Sequence, residues 1–148
     1  IADSSQLLIV AGEIPPLAWR LVERFWPGGL TLVLPKASQI SRLISAGGDT
    51  VAIRLPAHPV PLALIKGLGI PVTGTSANRS GQPAALTGAQ VVTQIGKKLA
   101  FVIDGGRCPG GKESTVVDLT QEPPRILREG AITTAEIENV LTAWRKKE

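Results

Sequence analysis

With 148 residues, 43% of them hydrophobic, the chain suits one globular domain that buries about two-thirds of its unfolded surface. A single cysteine, Cys108, and a single histidine, His58, exclude an internal disulfide and a Cys- or His-built metal site, and they suit a reducing cytoplasm. The net charge of +4 favours polyanionic partners, yet Arg145, Lys146 and Lys147 lie together at the C-terminal end, and 3% aromatic residues with no tyrosine exclude base-stacking recognition of single strands.

No run approaches ~18 apolar residues, so neither a membrane span nor a signal peptide is expected and the chain reads as soluble and cytoplasmic. The chain contains no methionine and opens at Ile1, which predicts that an N-terminal part is missing. Behind Pro15 and Pro16, Leu17, Leu21, Val22 and Phe25 recur at helical spacing, and Trp26-Pro27-Gly28-Gly29 stops them, which predicts a helix near 15–25. Leu30 to Leu34 and Thr50 to Leu55 read as buried strands, separated by a segment with a short helical turn around Ile40–Ile44. His58 to Leu68 reads as a second helix followed by a strand at Ile70–Val72. Thr87 caps a third helix carrying Val91, Val92, Ile95 and Leu99, and Phe101–Asp104 then reads as a strand. Short strands are expected at Ser114–Leu119 and Arg125–Leu127, and Thr133 with Glu136 has the spacing of a capping box before a closing helix. Strands alternating with short helices predict an α/β fold, a mixed sheet flanked by helices in a single domain over 1–148.

Four segments offer chemistry. Strand-borne Arg54 can grip a carboxylate through two parallel hydrogen bonds, or form a structural ion pair. Thr73-Gly74-Thr75-Ser76-Ala77-Asn78-Arg79-Ser80-Gly81 gathers hydroxyls, an amide and glycines, as in a turn that cradles an anion, although plain turns have the same composition. Asp104 through Thr115 is a glycine-rich connection without the spacing of a nucleotide-binding P-loop, because Glu113 separates Lys112 from Ser114. In Arg125-Ile126-Leu127-Arg128-Glu129, alternation separates Arg125 and Leu127 from Ile126 and Arg128. Arg128 can meet a phosphate or be neutralised by Glu129. His58, between Ala57 and Pro59, fits a turn role better than that of a general base.

Taken in order, WPGGLTLVLP at 26–35, VAIRLPAHP at 51–59, IPVTGTSANRSGQP at 70–83, IDGGRCPGGKESTVVDLT at 103–120 and ILREGAI at 126–132 resemble the YrdC-like family of L-threonylcarbamoyladenylate synthases. The resemblance implies a twisted α/β sheet with a concave basic cavity. It implies a reaction that joins L-threonine, bicarbonate or CO2, and ATP into threonylcarbamoyl-AMP and pyrophosphate for the threonylcarbamoyl modification of tRNA. Mg2+ would accompany ATP, and tRNA-modification proteins would receive the product. By the same resemblance Arg54, Gly74 and Ser114 face threonine, while Thr50, Ser76, Asn78 and Arg128 face ATP; no catalytic acid, base or metal ligand is implied. Arg79 and Lys112 add charge without an assigned role. Gly29 stands where the family usually has proline, and the family's K-x-R-P-like segment has no counterpart before Ile1, so a YrdC-like domain lacking its N-terminal part, with weak or absent activity of its own, is expected. Two alternatives remain open. One is the YrdC-like domain of a carbamoyltransferase that adenylates a carbamoyl group; the other is a non-catalytic module that binds double-stranded RNA or tRNA.

Overall fold

The computed structural model describes residues 1–108 and 112–146. The chain divides into two compact units, Ile1–Val72 with Lys112–Glu148, and Thr73–Gly111. The first unit holds a four-stranded sheet of β1 (Leu30–Pro35), β2 (Thr50–Arg54), β3 (Thr115–Asp118) and β4 (Arg125–Arg128), in the order β2-β1-β3-β4. β1 lies antiparallel to β2 and parallel to β3, and β3 lies antiparallel to β4, so the sheet is mixed as its sequence predicts.

Alternation decides which face of this sheet is core. Leu30, Leu32 and Leu34 of β1 are fully buried, whereas Thr31 and Val33 between them are only partly so. Ile53 pairs with Leu32 across β1 and β2, and Val117 pairs with it on the other side, so one apolar row crosses three strands. Against this row pack α1 (Leu7–Val10), α2 (Pro16–Phe25) and α5 (Thr134–Arg145), through Leu7, Leu17, Leu21, Ile137 and Leu141. α2 begins with Pro16 in its first turn, where a missing N–H costs nothing, and ends at the Trp26-Pro27 step. α3 (Pro59–Leu68) starts from His58, whose Nδ1 accepts from Val60 N at 3.3 Å, and closes at Gly69 in the left-handed region with φ 72°. His58 is thus a helix cap, in keeping with the turn role expected of it.

The capping box of α5 is complete. Thr133 N and Oγ1 donate to Glu136 Oε2 at 2.9 and 2.7 Å, and Glu136 N donates back to Thr133 Oγ1. The side-chain bond from Thr133, then its backbone bond, hold the Glu136 carboxyl below its ordinary value of 4.5. Because the folded form has the lower pKa, this stabilisation is present above that value and is lost as pH falls through the folded pKa. Acid titration is therefore expected to loosen the start of α5 as the pH falls through the lowered Glu136 pKa, and Glu136→Gln to flatten that part of the profile, followed by amide exchange at Thr133–Glu136.

Four local expectations are corrected. Ile70–Val72 and Phe101–Asp104 form no strand; neither has a ladder partner among the described residues, and Ile70 and Phe101 are 60% and 76% exposed. An apolar run of this length resembles a buried strand in sequence, but pairing requires a free sheet edge in register. Residues 38–47 make turns rather than a helical turn, closed by Gly47 with φ 88°. Finally, the ladder between β3 and β4 shifts register, with Val117 opposite Ile126 and Val116 opposite Arg128. Leu127 is the extra residue of this β-bulge. Arg128 is thereby placed on the opposite face from Ile126, whereas uninterrupted alternation puts them together.

Candidate functional site

The face of the sheet turned away from the core carries one row of directly paired residues, Arg54 on β2, Thr31 on β1, Val116 on β3 and Arg128 on β4. Residues opposite each other on neighbouring strands project to the same side with Cβ atoms about 5 Å apart, so this row sets two guanidinium groups at its ends with a hydroxyl and a valine between. Ser114, two residues before Val116, follows the same alternation and is buried. Without the bulge at Leu127, Arg128 would have faced the core.

Each group in the row is held by identifiable bonds. Arg54 Nε donates to Gly28 O at 2.8 Å, its only side-chain bond among the described residues, which leaves the two Nη groups for a ligand. Arg128 is bonded more heavily. Its Nε and Nη2 donate to Ser114 O at 3.1 and 2.9 Å, Nη2 also reaches Ser114 Oγ at 3.3 Å, and Nη1 pairs with Glu113. The neutralising carboxylate is therefore Glu113, not the adjacent Glu129, which instead accepts from Thr134 N and Oγ1 at the start of α5. Ser114 Oγ lies 2.7 Å from Thr31 Oγ1. Burial of the Arg54 guanidinium, and after it the charge of Arg128, pull Arg54 below the usual arginine range. The residue as a whole remains exposed, so an anion can reach it. Two cations near enough to repel each other, one partly dehydrated, lower their energy when an anion arrives between them. Thr50 opens β2 on the same face as Arg54, about 13 Å away at the usual rise per residue.

A buried threonine fixes the backbone under this row. Thr115 is fully buried; its hydroxyl donates to Ile132 O and accepts from Gly130 N and Ile132 N at 2.9 and 3.0 Å. This bond set draws the 129–132 segment against Glu113 and Ser114. Gly130 permits the approach, since a Cβ there would stand 2.3 Å from Glu113 O and 2.8 Å from Ser114 O, both backbone atoms. Gly130→Ala is accordingly expected to destabilise the protein by about 1–3 kcal/mol and to weaken anion binding by shifting Ser114, measured by thermal melting beside ligand titration. At Gly29 a Cβ would come 2.7 Å from the Ala131 methyl, so the small residue also lets the start of β1 lie close to this segment.

Gly74, Ser76 and Asn78 belong to the second unit. Thr73–Ser76 is irregular and exposed, and a turn follows in which Gly81 has φ 79°. Asn78 Nδ2 donates to Arg79 O and Gln82 O at 3.1 and 2.7 Å, which closes the turn; both partners are carbonyls, so the orientation of the amide is fixed. Its Oδ1 is buried with no hydrogen-bond partner among the described residues, an acceptor rather than a donor. Arg79 is tied to α4 (Gly88–Ile95), its N donating to Gln94 Oε1 and its Nε to Gln94 O. Gln94 Nε2 also reaches Pro83 O, so one helical side chain holds both ends of the turn that follows Ser76. α4 itself starts from Thr87, as its sequence predicts.

The sequence singled out Arg54, Ser114 and Arg128, and the fold gathers them on one face. It did not single out Thr31, Thr115, Glu113 or Gly130. The available signal was alternation: the leucines flanking Thr31 are core, so Thr31 must face Arg54. Two grooves of about 320 and 380 Å³ flank Trp144 on the helical side, one against Phe25 and Val140 and the other against Pro16 and Leu119. Neither contains a residue of the arginine row.

The Sua5_yciO_yrdC family model, which carries the description telomere recombination, matches residues 1–130. The chain belongs to the Sua5/YciO/YrdC family. Within it, the chain is 47% identical over 141 residues to threonylcarbamoyl-AMP synthase of Pyrococcus abyssi, covering 95% of this chain and 42% of that protein. It is 44% identical over 142 residues to the Bacillus subtilis protein of the same name, covering 95% and 41%. The structure of P. abyssi Sua5 complexed with L-threonine superposes with a TM-score of 0.92 at 47% identity, covering 95% of this chain and 42% of that one. E. coli YciO superposes with a TM-score of 0.80 at 28% identity, over 91% and 65%. This family member thus spans about two fifths of its P. abyssi and B. subtilis relatives. The family and the mixed α/β fold expected from the five segments are borne out.

Proposed function

We propose that the protein works as a threonylcarbamoyl-AMP synthase. The observation that carries this reading is the row of Arg54, Thr31, Val116 and Arg128 with Ser114 beside it on one sheet face, where two guanidinium groups flank a buried hydroxyl. A carboxylate of amino-acid size fits between such groups, and the relatives named threonylcarbamoyl-AMP synthase support the assignment to threonine. In the reaction the threonine amine attacks CO2, forming an N–C bond and releasing a proton. A carbamate oxygen then attacks the α-phosphorus of ATP and pyrophosphate leaves, which makes the second step a nucleotidyl transfer.

This chemistry asks the protein for position and charge rather than for an acid or base. Arg54 through its Nη groups and Ser114 hold the threonine carboxylate. In the first unit Arg128 serves the nucleotide, as does Thr50 at the far end of the strand face that carries Arg54; in the second unit Ser76 is assigned to the nucleotide and Gly74 to threonine. Asn78 serves the nucleotide side by closing the turn behind Ser76. Mg2+ enters on the phosphates as part of the ATP substrate; the described residues contain no group of three or more His, Cys, Asp or Glu side chains that could hold it. The product passes to proteins that modify tRNA, and the setting is the cytoplasm; among the described residues no helix is long and apolar enough to cross a membrane.

Pyrophosphate release from ATP is the decisive assay. Release that requires L-threonine and bicarbonate together supports the synthase. Release driven by carbamoyl phosphate instead marks a carbamoyltransferase domain, and salt-sensitive binding of duplex RNA without response to either small substrate marks a binding module.

A further inference from the structure

The Ser114 hydroxyl has one proton and two acceptor positions, and its neighbours determine how they are used. Arg128 Nη2, 3.3 Å away, can only donate, so it fills one acceptor position. Thr31 Oγ1, 2.7 Å away, can donate or accept. Were Ser114 to donate to Thr31, its single proton would be used and nothing would remain for a ligand anion. If Thr31 donates, both acceptor positions are filled and the Ser114 proton is left for the ligand. The Ser114 main chain is already fixed through its carbonyl, which accepts twice from Arg128, so only the rotation of the hydroxyl is undecided. Among the described residues Thr31 makes no other side-chain hydrogen bond.

We propose that Thr31 is a positioning residue which donates its hydroxyl proton to Ser114 and so makes Ser114 a donor toward the carboxylate of the substrate. Arg128 acts in the same sense, and two donors converging on one oxygen increase the acidity of its own O–H. Thr31 thereby couples the middle of the row to the ligand without touching it. The register makes this possible: Thr31 is the residue directly opposite Arg54, one strand away from Ser114.

The inference rests on the threonine reading of the site, and calorimetric titration separates the two. Valine keeps the branched shape and strand preference of threonine, so Thr31→Val removes only the hydroxyl. L-threonine is expected to bind Thr31→Val about tenfold more weakly than wild type, Thr31→Ser within about threefold of wild type, and ATP to bind all three alike. Thr31→Ala serves as a second hydroxyl-free variant and is expected to show the same selective loss. Wild-type affinity for threonine in Thr31→Val, or an equal loss in Thr31→Ser, would overturn the role of Thr31 while leaving the threonine site standing. If the wild-type protein itself fails to bind L-threonine, the functional reading falls and the inference with it.

Discussion

Thr115→Val is expected to lower stability by about 3 kcal/mol and the melting temperature by roughly 6–12 °C, although the two side chains have nearly the same shape. The hydroxyl of Thr115 is fully buried and bonded to Gly130 N, Ile132 N and Ile132 O. Valine strands two backbone donors and one acceptor in a place where water cannot replace the lost bonds. An orphaned buried group costs about 1–3 kcal/mol, so even partial relaxation of the three leaves a large loss. Thr115→Ser keeps the hydroxyl and gives up one methyl group, worth about 1 kcal/mol, and should recover most of the difference. The same bonds hold the 129–132 segment against Glu113 and Ser114, so Thr115→Val should also weaken threonine binding at temperatures where it remains folded. Chemical denaturation that places Thr115→Val within experimental error of wild type would show that this segment is held by something else.

Arg54→Met should abolish most of the affinity for L-threonine, by about 100-fold, with little change in melting temperature. Methionine preserves the apolar stem but deletes every donor. Only one of those donors, the Nε bonded to Gly28 O, has a structural partner among the described residues. Arg54→Lys keeps the charge yet loses the planar fork that meets both carboxylate oxygens, and an intermediate loss of about tenfold is expected. Removing Arg54 also relieves its repulsion with Arg128, so phosphate-bearing ligands should lose less than threonine does. Titration of the three proteins with L-threonine, and separately with ATP, distinguishes this pattern from a uniform loss caused by misfolding.

How far the site could be read beforehand depended on whether each feature is local. α2 announces itself through Pro16 and the Trp26-Pro27-Gly28-Gly29 stop, and α5 through Thr133 and Glu136, because helix ends are encoded within a few residues. The strands around Thr31 and Arg54 follow from alternation, which also fixes which residues face away from the core. The bulge at Leu127 is different in kind. It exists only in the pairing of β4 with β3, so the sequence of β4 alone pointed Arg128 to the wrong face. The partner of Arg128 was misjudged for a related reason. Glu129 is adjacent in the chain but serves the start of α5, while Glu113 comes from a segment brought alongside by the sheet.

Asn78 shows a further limit. Its sequence setting suggests a donor aimed at phosphate, but the amide nitrogen serves the carbonyls of its own turn, a competition between ligand and backbone that composition cannot reveal. Thr115 was hidden among strand residues because threonine is common in strands for its shape alone. Its position in step with Val117 and Leu119 on the core face was the only sign that its hydroxyl must be satisfied internally. Apolar runs without a neighbour to pair with, such as Phe101–Asp104, were the clearest false strands.

The central claim, that the open sheet face between Arg54 and Arg128 binds threonine, is tested most directly by nuclear magnetic resonance during a titration with L-threonine. The Nε–H signals of Arg54 and Arg128 and the amide signals of Thr31, Ser114 and Val116 should shift together and saturate at one concentration, while those around Trp144 stay fixed. Shifts confined to the grooves beside Trp144, or no shift at all at saturating L-threonine, would contradict the account.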